Sequence, residues 1–183
     1  MFKKKMTERN HEIISTYLNP GDLAIDCTMG NGYDTLFLKN IVGESGQVIS
    51  FDIQDEAIIN TERLIGKDSK NVELHLNSNV NIDKYVREEA SVIVYNLGYL
   101  PNSSHDITTE AEDIIKSISK SMELIKVGGL ISIMTYSGHD DGKEESVILE
   151  FLAKVDKSRF EVITIYETNK INATKLNYIF KLG

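Results

Sequence analysis

Three groups of residues in this sequence have types and spacings that could do chemistry. In "DCTMGNGYDT", Gly30 and Gly32 can adopt backbone angles closed to other residues and let a ligand approach the main chain. Asp52 stands twenty positions after Gly32 at the end of an apolar run, where a carboxylate can accept hydrogen bonds from ribose hydroxyls. Together they point to an adenosine-containing cofactor. A dinucleotide site would carry a third glycine where Thr35 stands, and a triphosphate site would carry Gly-Lys-Ser/Thr, which the chain lacks. Both absences favour a cofactor with ribose but no phosphates.

The second group ends the apolar run "VIVYNLGYLP", where Asn96, Gly98, Tyr99 and Pro101 replace the expected core residues. An amide and a phenol there could grip a polar substrate; the plainer reading is a capped turn with Tyr99 in the core. The third is "YSGHDDGKEE", whose His139 could accept a proton or bind a substrate, or could be an exposed turn residue. His11, His75 and His105 suggest no catalytic part, and Cys27 reads as a small core residue.

The elements that must position these groups alternate short β-rich runs with longer amphipathic segments. Strands are expected at "LAIDC", "QVISFD", "VELHL", "SVIVYNL", "LISIMTY", "FEVITIYET" and "LNYIFKL", after a leading helix from about Arg9 to Leu18. A helix with Ile114, Ile115, Ile118 and Met122 on one face should close at Gly128-Gly129, and another should run from about Asp141 to Val155. Only "NKINATK" separates the last two strands, so they should pair antiparallel at one edge. The expectation is a single α/β domain over residues 1–183, a three-layer doubly wound fold of about seven mostly parallel strands. In such sheets ligands bind beyond the carboxyl ends of the strands, where all three groups would then lie.

Composition narrows the function. The net charge of -8 argues against a protein that coats nucleic acid through a broad basic surface. Lys3, Lys4, Lys5 and Arg9 form one basic cluster, which reads first as a solvated terminus and second as a local phosphate contact. One cysteine and four scattered histidines make no metal-ligand set. No apolar run has the roughly 18 residues of a spanning helix, and "MFKKKMTERNHEII" lacks the apolar segment of a signal peptide, so the expected location is cytoplasmic with no membrane partner.

The combination of "DCTMGNGYDT", "FDIQ", "NLGYLP" and "YSGHDDGKEE" resembles the putative rRNA methylase family of bacterial class I methyltransferases. One branch of that family methylates the aminomethyl group of 5-aminomethyl-2-thiouridine at the tRNA wobble position. The resemblance implies a Rossmann-like class I fold, S-adenosylmethionine as cofactor and a tRNA anticodon region as substrate, and it admits a homodimer. It implies cofactor contacts from Asp26, Gly30, Asn31, Gly32, Asp34, Asp52, Gln54, Ser78, Asn79 and Asn96. Of these, Asn31 falls near the methionine part, Asp52 and Gln54 near ribose and adenine, and Ser78 and Asn79 on the adenine side.

"NLGY" takes the place of the Asn/Asp-Pro-Pro-aromatic motif of nitrogen methyltransferases. By that likeness the catalytic residues are Asn96, whose oxygen accepts from an amine, Tyr99, which stacks on the target, and His139. The chain departs from the family at Tyr33, at Asn79, over Asn102 to His105 and over Asn169 to Lys175. These changes touch the substrate assignment more than cofactor binding. The residues alone leave two rivals open: a dehydrogenase with an unusual loop, and a cofactor-binding module without catalysis.

Overall fold

The computed structural model describes residues 4–66, 69–98, 111–136 and 143–183, with backbone alone at 111, 143 and 144. Tyr99, Asn102 to His105 and His139 lie outside the described residues. Among the described residues seven strands form one sheet: β1 (Leu23–Asp26), β2 (Gln47–Asp52), β3 (Val72–Leu76), β4 (Ala90–Leu97), β5 (Ile125–Thr135), β6 (Phe160–Ile165) and β7 (Lys175–Lys181). Their order is β3-β2-β1-β4-β5-β7-β6. The first five pair in parallel, and β7 runs antiparallel to both β5 and β6. The expected α/β class and antiparallel edge pair are both present.

Among the described residues six helices flank the sheet: α1 (Met6–Ile14), α2 (Tyr33–Val42), α3 (Asp55–Ile65), α4 (Ile82–Tyr85), α5 (Ala111–Leu124) and α6 (Lys143–Leu152). Strict alternation along the strands feeds two cores. Ala24, Val48, Val92 and Val94 meet Ile14 of α1 with Leu38 and Val42 of α2. Their neighbours Ile25, Ile49, Ile93 and Tyr95 face Ile114 and Ile118 of α5 and Ile148 of α6. Each such fully buried aliphatic side chain contributes about 1.5–3 kcal/mol by leaving water.

Two boundaries differ from the sequence reading. The leading helix spans Met6–Ile14 rather than about Arg9 to Leu18, because the Lys5 N–H bonds to the Glu8 carboxylate 3.1 Å away and closes a turn three residues earlier. The helix expected to close at Gly128-Gly129 ends at Leu124, and β5 begins at Ile125. The pairing of Ala90 with Ile125 draws that segment into the sheet, and the register shifts between Ala90 and Val92. Gly128, at φ 76°, thus lies within the strand.

Buried polar contacts fix helices to the sheet. Asn10 of α1 is 2% exposed, and its Oδ1 accepts from Ser132 Oγ at 2.7 Å and Tyr178 Oη at 3.0 Å. On the other face the Tyr95 hydroxyl lies 2.7 Å from both Ser117 Oγ and Ser121 Oγ of α5. Leaving such groups unpaired would cost about 1–3 kcal/mol each, so these contacts set where α1 and α5 can sit.

Candidate functional site

Strands β1 and β4 are adjacent, yet their outer neighbours β2 and β5 continue the chain in opposite directions across the sheet. The carboxyl ends of β1 and β4 therefore bound the topological switch point, where open α/β sheets bind ligands. The loop leaving β1 turns through Gly30 at φ 52° and Gly32 at φ 82°, both left-handed. A Cβ on Gly32 would stand 2.7 Å from Thr61 Oγ1 and 2.9 Å from Thr61 Cα, so this glycine also lets α3 close against the loop.

Asp52 ties that loop to β2. Its Oδ2 accepts from the Gly30 N–H at 2.9 Å and its Oδ1 from the Gln54 N–H at 3.0 Å. Each oxygen keeps a further lone pair for a ligand hydroxyl. Behind the loop, Asp26 is fully buried and accepts from Thr28 N at 3.1 Å and Thr35 Oγ1 at 2.7 Å. Burial, with the negative charges of Asp34 and Asp52 adding to it, pushes the Asp26 carboxyl up to about 7 against the stabilising pull of those two donors. Cys27 is buried next to it, and burial raises its thiol far above reactive range.

After β3, Ser78 Oγ accepts from the Val80 N–H at 3.3 Å and caps a single 3₁₀ turn, Asn79–Asn81. Asn79 is 8% exposed and donates through Nδ2 to the Cys27 carbonyl at 2.9 Å, which locks this turn to the end of β1. Its Oδ1 is buried and has no hydrogen-bond partner among the described residues. A buried orphan acceptor is costly unless a ligand donor completes it. The Asn31 side chain turns toward α3, where its Oδ1 accepts from Asn60 Nδ2 at 3.0 Å, leaving the main chain of that residue to line the loop.

At the end of β4, the Asn96 N–H donates to Thr28 Oγ1 at 2.7 Å, joining the two strand ends. Its Nδ2 donates to Asp34 Oδ2 at 3.1 Å, and its Oδ1 accepts from the Tyr136 hydroxyl at 3.0 Å. The other Asp34 oxygen lies 2.6 Å from His11 Nε2. His11 is stacked on Phe37 of α2, with ring centroids 3.7 Å apart and planes within 3°. Burial and then the Asp34 charge raise the Tyr136 hydroxyl above its ordinary range, keeping it a donor at neutral pH.

The structure thus brings Asp26, Gly30, Gly32, Asp34, Asp52, Gln54, Asn79 and Asn96 to one end of the sheet. It adds Thr28, Tyr136 and His11, which sequence reasoning passed over. Tyr136 begins "YSGHDD" and sits just past β5, so its position was readable although its partner was not. His11 had no readable signal: it reaches Asp34 only because Asn10 anchors α1 across β5 and β7. Among the described residues, no group of three His, Cys, Asp or Glu could hold a metal ion, and no helix is long and apolar enough to cross a membrane.

Comparison with known proteins bears on this geometry. The family described as "Putative rRNA methylase" matches residues 48–181, and the protein-L-isoaspartate O-methyltransferase family matches residues 3–85. A chloroplastic tRNA (mnm(5)s(2)U34)-methyltransferase of Arabidopsis thaliana is 34% identical over 160 residues. That match covers 81% of this chain, which spans 58% of the length of that relative.

A crystal structure described as a "putative rRNA-methylase" from Clostridium thermocellum is 38% identical, with a TM-score of 0.94 and 100% of each chain covered. A "putative methyltransferase" from Streptococcus mutans, in complex with SAH, is 35% identical at a TM-score of 0.88, covering 99% of this chain and 100% of that one. With a match over residues 48–181 and this agreement of fold, the chain belongs to the "Putative rRNA methylase" family of class I methyltransferases.

Proposed function

We propose that this protein is an S-adenosylmethionine-dependent N-methyltransferase whose acceptor is the aminomethyl nitrogen of a modified uridine at the tRNA wobble position. The observation that carries the reading is the bond from Asn96 N to Thr28 Oγ1, which sets a polar amide beside the glycine loop. The 34% identity to a tRNA (mnm(5)s(2)U34)-methyltransferase supports the choice of acceptor.

The residues fit this cofactor. Asp52, already holding Gly30 and Gln54 by their N–H groups, presents its remaining lone pairs to ribose hydroxyls. The orphaned Asn79 Oδ1 suits an amino donor such as that of adenine. When bound, S-adenosylmethionine supplies an electrophilic methyl group on a sulfonium.

The chain's own residues must hold a nitrogen and leave its lone pair free. Asn96 Oδ1, with one lone pair taken by Tyr136, accepts an amine hydrogen with the other. A protonated amine has no lone pair, so a proton has to leave. Asp34, bonded to both His11 and Asn96, holds the Asn96 amide in place. By the family resemblance, Tyr99 would stack on the target base and His139 would accept that proton; both lie outside the described residues.

Nucleoside mass spectrometry of total tRNA from cells with and without the gene tests the proposal. Loss of the methylaminomethyl nucleoside, with accumulation of its aminomethyl precursor, is the expected result. An unchanged nucleoside profile would reject the acceptor.

A further inference from the structure

Beside the site lies a cavity of about 310 Å³ that none of the residues above explains. Lys4 and Lys5 at the start of α1 line one wall, and Glu167 and Lys170 of the β6–β7 connection line another. Tyr136 also lines it, and the same Tyr136 hydroxyl bonds Asn96 at 3.0 Å, so the cavity adjoins the candidate acceptor site. Three lysines stand against Glu167 in the lining and Glu12 bonded to Lys4, which leaves an excess of one positive charge here on a chain of net charge -8.

Lys4 pairs with Glu12 and Lys170 with Glu167, and both lysine side chains remain about half exposed (50% and 45%). Exposed pairs of this kind are worth about 0–1 kcal/mol, so an incoming anion can replace the carboxylates at little cost. The Lys5 ammonium has no carboxylate partner among the described residues. Next to Lys170, Ile171 is 94% exposed, which leaves this wall open to a large partner.

We infer that this cavity binds the phosphodiester backbone of single-stranded RNA beside the acceptor nucleotide, with Lys5 and Lys170 as its principal contacts. This rests on the RNA acceptor proposed above. Backbone contacts position a nucleic acid without reading its bases, so the cavity would fix where the loop lies and Asn96 would act on the nucleotide delivered to it. The β6–β7 connection is also where the sequence leaves the family pattern, over Asn169 to Lys175. Variation there would retune RNA placement while sparing the cofactor loop on β1.

The test is fluorescence anisotropy with a labelled anticodon stem-loop RNA over a series of KCl concentrations. It compares wild type, the Lys5→Gln/Lys170→Gln double variant and Lys170→Arg, with methyl transfer to tRNA measured alongside. Each lost single-strand phosphate contact should lower the slope of log Kd against log salt by about 0.7, so the double variant should lose about 1.4 and bind roughly tenfold more weakly at low salt. Lys170→Arg should keep the wild-type slope. S-adenosylmethionine affinity, measured by calorimetry, should be the same in all three.

A double variant with wild-type slope and affinity, in a protein that methylates tRNA, would overturn the cavity assignment alone. Tight wild-type binding to an acidic peptide but not to RNA would overturn both the assignment and the RNA acceptor.

Discussion

Asn96 Nδ2 lies 3.1 Å from Asp34 Oδ2, and this contact sets which way the Asn96 amide points. The nitrogen donates to Asp34, and the oxygen accepts from the Tyr136 hydroxyl 3.0 Å away. Both ends of the amide are thereby determined. The oxygen is held in place before any acceptor arrives, which is how a site avoids paying for orientation during reaction.

Asn96→Ala should therefore leave cofactor affinity nearly unchanged and slow the chemical step. One lost orienting contact is worth about 2–4 kcal/mol of transition-state stabilisation, or roughly 30-fold to 1,000-fold in rate. Single-turnover assays at saturating cofactor and tRNA would measure it, with thermal melts to check folding. A folded variant at wild-type rate would reduce "NLGY" to a turn that ends a strand.

His11 acts on the same amide at one remove, through the 2.6 Å contact of its Nε2 with Asp34. His11→Ala should lower kcat by roughly fivefold, about 1 kcal/mol, with little change in KM for the cofactor. His11→Gln restores a donor to Asp34 and should recover most of the rate. Equal kcat in wild type and His11→Ala would show that Asp34 holds its position unaided.

Asp52→Ala removes both a ribose acceptor and the partner of the Gly30 and Gln54 N–H groups. Affinity for S-adenosylmethionine should fall roughly tenfold to a hundredfold, about 1.5–3 kcal/mol. Calorimetric titration gives the value directly. Undiminished affinity in a folded variant would remove Asp52 from the cofactor site.

Asp26 makes stability depend on pH. Its folded pKa, about 7, is raised from the ordinary 3.8, so the folded state holds a proton that the unfolded state releases. The favourable contribution is complete below about pH 3.8, declines as the pH rises, and is gone above about 7. Melting Asp26→Asn beside wild type from pH 4 to 8 should show the variant gaining relative stability with rising pH, then levelling off. A constant difference across that range would mean that Asp26 is ionised throughout.

The sheet was legible in the sequence because β-rich runs such as "LAIDC" and "SVIVYNL" and the glycine turn at Gly30–Gly32 are local signals. Asp52 was legible for the same reason: its distance from the loop follows from one strand-helix-strand unit. The His11–Asp34–Asn96–Tyr136 chain was not, since its members come from α1, α2, β4 and the end of β5 and meet only through packing. The early end of α5 was equally hidden, because pairing of Ala90 with Ile125 overrides the Gly128-Gly129 stop signal.

In the function proposed above, this site moves a methyl group from S-adenosylmethionine to an aminomethyl nitrogen. The most direct measurement incubates the purified protein with S-adenosylmethionine bearing a deuterated methyl group and with tRNA containing 5-aminomethyl-2-thiouridine, then fragments the nucleosides by mass spectrometry. The deuterated methyl should appear on the side-chain nitrogen of the wobble uridine, and should appear there far more slowly with Asn96→Ala. Label on a base carbon, on a ribose oxygen or nowhere in the tRNA would contradict it.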